Sequence, residues 1–286
     1  DPKEIDRIGK AKEQLASAIE MLRPISEIYS AGQAIRSRRV LLAEDDRKQQ
    51  VIAKLALSST GVQLDVSSTI EEATKFMQSG EPYDIVFVSS NLTPLITQIS
   101  QGSNPPKIVM MASTNVPAEL PNIRIAAPAI SSIVSRHAED RTFTVKNVAT
   151  TASKLISKDV FGLEKYMIWG VEVQERPVLR SNERRALIEE MQAHFARVGV
   201  RKVISDRASL VSEELLMNAI YDAPVGADGK ALYNHIDRTN AIELKANEHG
   251  LFRYACDGML AAVSVSDPFG GFQLKTLINY LERNYI

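Results

Sequence analysis

The sequence predicts an α/β chain: a doubly wound parallel-sheet domain followed by an α+β sandwich, the two preceded by a helical segment. Two observations carry this expectation. From Arg38 onward, short apolar runs alternate with helical stretches, and such alternation implies a parallel sheet covered on both faces. In the last third, a helix ended by Pro224 is followed by alternating runs on either side of Asp257-Gly258, a helix leading into an antiparallel hairpin. With 286 residues and 44% hydrophobic content, the chain can bury a core in each of two domains.

Composition removes several functional classes. A net charge of −1 gives no reason to expect nucleic acid or an anionic membrane surface as a partner. One cysteine, Cys256, rules out an internal disulfide framework and fits a reducing compartment. No apolar run approaches the roughly 18 residues that a membrane span needs, and no signal-peptide pattern opens the chain. The expectation is a cytoplasmic globular protein. Its start at Asp1 suggests a segment cut from something longer.

Taken in order, residues 1–37 are polar and helix-prone, with Ile5, Ile8, Leu15, Ile19 and Leu22 at helical spacing. This segment could pair with its copy in a homodimer, connect to an upstream sensor, or pack on the next domain. Residues 38–136 carry the alternation. Strands are expected at 40–43, 62–66, 84–88, 107–112 and 123–126, the last just before Pro128, with helices between them. Residues 137–180 read as a linker and the start of the second domain. They hold a helix over 144–157 and an aromatic cluster with Trp169, the only tryptophan. Residues 181–286 form the second domain. Ser181 is expected to cap a helix over 184–195, a second helix runs to Pro224, and strands follow at 241–244, 251–255 and 259–266.

The opening strand ends in Glu44-Asp45-Asp46, at the carboxyl edge where doubly wound folds place their sites. Arg39-Val-Leu-Leu-Ala-Glu-Asp-Asp resembles the first strand and acidic pair of response-regulator (CheY-like) receiver domains, and the resemblance runs through residues 38–136. It implies a phospho-accepting Asp closing the third strand, where this chain has Ser89. It implies a hydroxyl residue on the fourth strand, where Met111 aligns, and a lysine closing the fifth, where Ala127-Pro128 aligns. Serine needs an activating base, and a transferred phosphoryl group needs a cation. The expectation is a degenerate receiver that takes no phosphate and serves as a surface for a signalling partner. Glu44, Asp45 and Asp46 read either as a weak divalent site or as a solvated acidic loop.

On the helix before Pro224, Glu214, Asn218 and Asp222 are spaced four apart and line one face, opposite a stripe of Leu215, Leu216, Ala219 and Ile220. Two carboxylates and an amide oxygen could hold a hard cation carrying phosphates, or they could be solvated residues of an amphipathic helix. The pattern Glu214-Leu-x-x-Asn218-Ala219-x-x-Asp222 resembles the N box of the Bergerat-fold (GHKL) ATPases. Val263-Ser-Val-Ser-Asp267-Pro-Phe-Gly270-Gly271 resembles their G1 box. The lead-in helices look most like the anti-sigma-factor serine kinase branch. That resemblance implies ATP and Mg²⁺ as cofactors, with Asp267 receiving the adenine amino group and Asn218 ligating the metal. Gly270 would admit the base, and Glu214 would orient or deprotonate an attacking hydroxyl.

Departures are visible too. Phe269 stands where the first G1 glycine belongs, Asp222 stands where the family has His, and no glycine-rich phosphate loop follows Gly271. Either the chain stops before the lid and phosphate loop, or the domain hydrolyses no ATP. Of the four histidines, His137, His194, His235 and His249, none sits in a phospho-accepting pattern. Two functions therefore stand: a signalling protein with a kinase-like ATP domain acting on Ser or Thr of a partner, or a non-catalytic interaction module.

Overall fold

The computed structural model describes residues 38–137, 139–168, 170–226, 228–271 and 274–285. The helix and dimer expectations for residues 1–37, and the packing expected of Trp169, lie outside them. The chain divides into two compact units, the first running to Val160 and the second spanning Phe161–Asn284.

The first unit is a five-stranded parallel sheet in the order β2-β1-β3-β4-β5. Its strands are β1 (Arg39–Ala43), β2 (Gln63–Ser67), β3 (Ile85–Ser89), β4 (Lys107–Ser113) and β5 (Ser132–Arg136). The central strand β3 reads Ile-Val-Phe-Val-Ser and is buried throughout, as a parallel strand covered on both faces should be. Alternate side chains feed two cores. Leu41, Val86, Val88 and Met110 face α2 (Ile70–Ser79), α3 (Thr93–Ser100) and α4 (Val116–Ala126) through Ala73, Leu95, Ile96 and Ile123. Val40, Leu42, Ile85, Phe87 and Val109 face α1 (Arg47–Ser59) and α5 (Arg141–Ser157) through Ala53, Leu57, Val148 and Ala152.

Helix starts follow local chemistry. The Asp46 carboxylate accepts from the backbone N–H groups of Lys48 and Gln49, the Thr69 hydroxyl from Glu72, and the Asp140 carboxylate from Phe143.

Two expectations are corrected here. Residues 123–126 are the end of α4, not a fifth strand. The Asn115 side chain caps that helix, Pro117 sits in its first turn where no N–H is missed, and Leu120, Ile123 and Ala126 recur at helical spacing. The fifth strand is Ser132–Arg136, an edge strand with a mixed burial pattern. The helix placed in the linker is α5, which packs on α1 and completes the first unit.

The second unit is a three-stranded antiparallel sheet, β6 (Gln174–Val178), β7 (Gly250–Cys256) and β8 (Ala261–Ser266). On one face lie α6 (Arg184–Arg197) and α7 (Lys202–Met217), whose Met191, Phe195 and Leu216 meet Phe252 and Tyr254 of β7. Phe195 and Tyr254 meet edge to face at 6.1 Å, and buried His194 does so with Tyr254 at 5.5 Å, a structural role for that histidine. Ala255 points to the other face, against Leu163 and Met167. The hairpin turns at Asp257-Gly258, where the Asp257 carboxylate accepts from the backbone N–H groups of Met259 and Leu260. Gly250 is required by space, since a Cβ there would lie 2.8 Å from the Ser266 carbonyl oxygen. After β8 comes α8 (Leu274–Tyr285).

Three further expectations change. Residues 241–244 form no strand; Glu243 makes only an isolated bridge to Arg180. The sheet gains β6 instead, a strand the sequence did not announce. Ser181 caps no helix: its hydroxyl accepts from the Ile242 N–H at 2.8 Å and donates to the Asn240 carbonyl at 3.4 Å.

Val148 is fully buried between α5 and the sheet. Val148→Asp, which sinks an unpaired carboxylate there, should lower stability by on the order of 3 kcal/mol or more in urea unfolding. A loss under about 1 kcal/mol would show that α5 is not part of this core.

Candidate functional site

The carboxyl ends of β1, β3 and β5 converge on one polar cluster. Glu44, directly after β1, is fully buried, and Ser89, the last residue of β3, is too. Arg136 closes β5 with a side chain 9% exposed. Its Nη1 donates to both oxygens of Glu44, at 2.9 and 2.8 Å, and to the Ser89 hydroxyl at 3.3 Å. Its Nη2 donates to the Ser90 hydroxyl at 3.2 Å. Ser89 in turn donates to Asp45 Oδ1 at 2.7 Å, and Asn91 Nδ2 to Asp45 Oδ2 at 2.9 Å. The Asp46 N–H donates to Glu44 at 3.1 Å.

Electrostatics separate the two carboxyls. Burial pushes Glu44 up, and the Arg136 guanidinium pulls it back only in part. Burial also pushes Asp45 up, but the hydrogen bonds from Ser89 and Asn91 outweigh it and hold Asp45 below its ordinary value of 3.8. Asp45 is therefore placed as a base for Ser89 yet too weakly basic to activate it, because a useful general base titrates near the working pH.

The residue closing the fifth strand is Arg136, not Ala127. Ala127 is the buried C-cap of α4 and takes no part in the cluster. Met111 pairs in register with Ser89 and is buried in the core, while β4 runs two residues further to Ser113. Sequence reasoning missed Arg136 because Ile123 and Ala126 looked like the fifth strand. The signal that could have found it is the β-branched pair Ile133-Val134 in Ser132-Ile-Val-Ser-Arg, just before the polar His137 stretch. A cation is thus present where none was expected, and Glu44 holds it. The pocket does not fit a divalent ion: a guanidinium occupies the space between Glu44 and Ser89, and among the described residues no three metal-ligating side chains converge.

In the second unit, α7 ends at Met217 and the chain continues as a π turn over Asn218–Asp222, with the Ala223 N–H bonded to the Asn218 carbonyl at 2.8 Å. Such one-residue widenings recur at functional sites. Glu214 and Asn218 are exposed, and among the described residues neither side chain forms a hydrogen bond or ion pair. The wider turn takes Asp222 off the line of a continuous helix, and it pairs with Arg238 at 3.0 Å. Asp267, just past β8, is exposed and accepts from the Phe269 N–H at 2.9 Å. Gly270 takes a φ of 62°, a left-handed turn. Helix α7 packs against β8, so Asn218 and Asp267 extend from neighbouring elements, with no bond between them.

No protein-family model matches the chain, and no curated protein matches it in sequence. Among solved structures it is similar to a response regulator from Thermotoga maritima, at 20% identity over 42% of this chain and 98% of that one, with a TM-score of 0.35. A CheY-like receiver domain from Methylobacillus flagellatus shows 18% identity over 41% and 98%, TM-score 0.33. The phosphorylated cyanobacterial phytochrome response regulator RcpA shows 12% over 43% and 96%, TM-score 0.38. The architecture of the first unit is independently evident in its strand order, the flavodoxin-like doubly wound order that CheY shares. Among the described residues no helix is long and apolar enough to cross a membrane.

Because its folded pKa is depressed, Asp45 contributes stability above pH 3.8 that is lost as pH falls through the folded value. Ser89→Ala removes one donor and shrinks that contribution. Urea unfolding should show the variant less stable than wild type near neutrality, with the gap narrowing on acidification. A gap independent of pH would rule out the Ser89–Asp45 bond as its source.

Proposed function

We propose that this chain is a cytoplasmic signal-transduction protein whose first unit is a receiver-fold recognition module held in one state by the Arg136–Glu44 pair, without phosphoryl transfer. The pair carries this reading. A buried carboxylate gripped by a guanidinium at 2.8 Å leaves the acidic pocket neither open to Mg²⁺ nor free to bind a phosphoryl group. Ser89 is spent on Asp45 and Arg136, so a hydroxyl stands where an acceptor carboxylate would, without a competent base. What the unit offers a signalling partner is a surface of fixed shape.

Arg136→Met tests this. It strands a buried Glu44, so wild type should exceed the variant by about 3–5 kcal/mol near neutrality. Since Glu44 titrates above its ordinary 4.5, the deficit should shrink at acid pH, where the carboxyl is protonated, and grow as pH rises. Millimolar Mg²⁺ should raise the melting midpoint of the variant and leave wild type unmoved. A rise in wild type with Mg²⁺ alone, in the absence of nucleotide, or a stable phosphoryl group on the first unit after acetyl phosphate treatment, would overturn the proposal.

The second unit supports a distinct reading, ATP and Mg²⁺ binding of the GHKL type. The observation that favours it is Asn218, presented exposed and unbonded by a π turn, on a helix packed against the strand that leads to Asp267. Asn218 would ligate the metal, Asp267 would receive the adenine amino group, Gly270 would admit the base, and Glu214 would orient a Ser or Thr hydroxyl of the partner. Asp222, tied to Arg238, would stay outside that set. Mg²⁺ with ADP should raise the melting midpoint of wild type, and Asn218→Ala should abolish the rise. No rise in wild type removes the nucleotide reading and leaves the second unit as a binding surface.

A further inference from the structure

A cavity of about 200 Å³ in the second unit lies between the start of α6 and the chain that follows the π turn. It is walled by Ser181, Arg184, Arg185, Glu213, Arg238 and Asn240, among others. Its walls carry three guanidiniums, each held by one carboxylate: Arg184 by Glu213 at 3.0 Å, Arg185 by Glu189 at 2.8 Å and Arg238 by Asp222 at 3.0 Å.

The walls are fixed from below. Tyr221 is fully buried, and its hydroxyl bonds the carbonyls of Arg238 and Asn240, each at 3.2 Å. Its ring carries the Arg238 guanidinium at 4.3 Å and that of Arg184 at 5.7 Å. Buried Ser181 ties Asn240 and Ile242 from the opposite side. Each arginine also keeps donors in hand. Arg184 spends Nε on Glu213 and Nη1 on the Ser181 carbonyl, leaving Nη2; Arg185 spends Nε on Glu189, leaving Nη1 and Nη2; Arg238 spends Nη2 on Asp222, leaving Nε and Nη1. Planar guanidiniums with free forked donors are the protein's best match to oxyanions.

We propose that this cavity binds a small tetrahedral oxyanion, inorganic phosphate or a phosphate monoester, between Arg184 and Arg238 with Arg185 at the rim. Its volume is below the roughly 300–1,000 Å³ of pockets for drug-sized ligands, so it takes the anion rather than a whole nucleotide. The Glu213 carboxylate competes for Arg184 and tunes the affinity. The site does not depend on the nucleotide reading of Asn218 and Asp267.

Titrating the full chain with inorganic phosphate at constant ionic strength, read by calorimetry or phosphorus NMR line width, tests it. Saturable binding is expected, weakened about tenfold in Arg238→Gln and strengthened in Glu213→Gln. Arg185→Gln, at a side chain 89% exposed whose loss does not threaten the fold, should weaken binding too. Competition by O-phosphoserine identifies a monoester as an accepted form; its failure to compete restricts the site to the free ion. Absence of saturable binding in wild type, equal displacement by chloride, or unchanged affinity in both Arg238→Gln and Arg185→Gln would overturn the proposal.

Discussion

The buried Arg136–Glu44 pair is the constraint on which the first unit depends. A parallel sheet places the carboxyl ends of its strands on one edge, and here three of those ends deliver a carboxylate, a hydroxyl and a guanidinium to one spot. Taking both charges out of water is costly, and their mutual attraction repays it only with good geometry and further hydrogen bonds. Those are present: both oxygens of Glu44 accept from Arg136, the Asp46 N–H adds a third bond, and Ser89 and Ser90 take the remaining reach of the guanidinium. An edge more often built to receive a ligand is closed by the chain itself.

The second unit solves a different packing problem. Its sheet has one face for α6 and α7, and β7 supplies Phe252 and Tyr254 as the anchor residues. Tyr254 stacks edge to face with Phe195, and His194 joins it with its pKa lowered by burial and by neighbouring Arg197. A neutral imidazole in such a place is core, not chemistry. At the far end of α7 regular hydrogen bonding gives way to the π turn.

Much of this was legible beforehand, for identifiable reasons. Central strands of a parallel sheet read as continuous apolar runs, so β1, β3 and β4 stood out. Edge strands carry no such mark. β5 has one fully buried residue, Val134, and the apolar face of α4 between two prolines looked more like a strand than β5 did. That one displacement hid Arg136 and put Ala127 in its place. In the second unit β6 includes Pro177 and charged residues, tolerable at a sheet edge and nearly invisible as a pattern. The spacing of Glu214 and Asn218 could be read directly. The Asp222–Arg238 pair could not, because it joins residues 16 apart through a π turn that no periodicity announces.

Gly250 has a reach beyond its own position. It opens β7 between Val178 of β6 and Ser266 of β8, and there is no room for a methyl group against the Ser266 carbonyl. Any side chain at that point would act as a wedge between β7 and β8. Because Asp267 is the very next residue, its carboxylate would move with the displaced strand end. A hydrogen atom in place of a side chain therefore sets where that acid sits, so mutational drift at residue 250 would be felt first at a group it never touches.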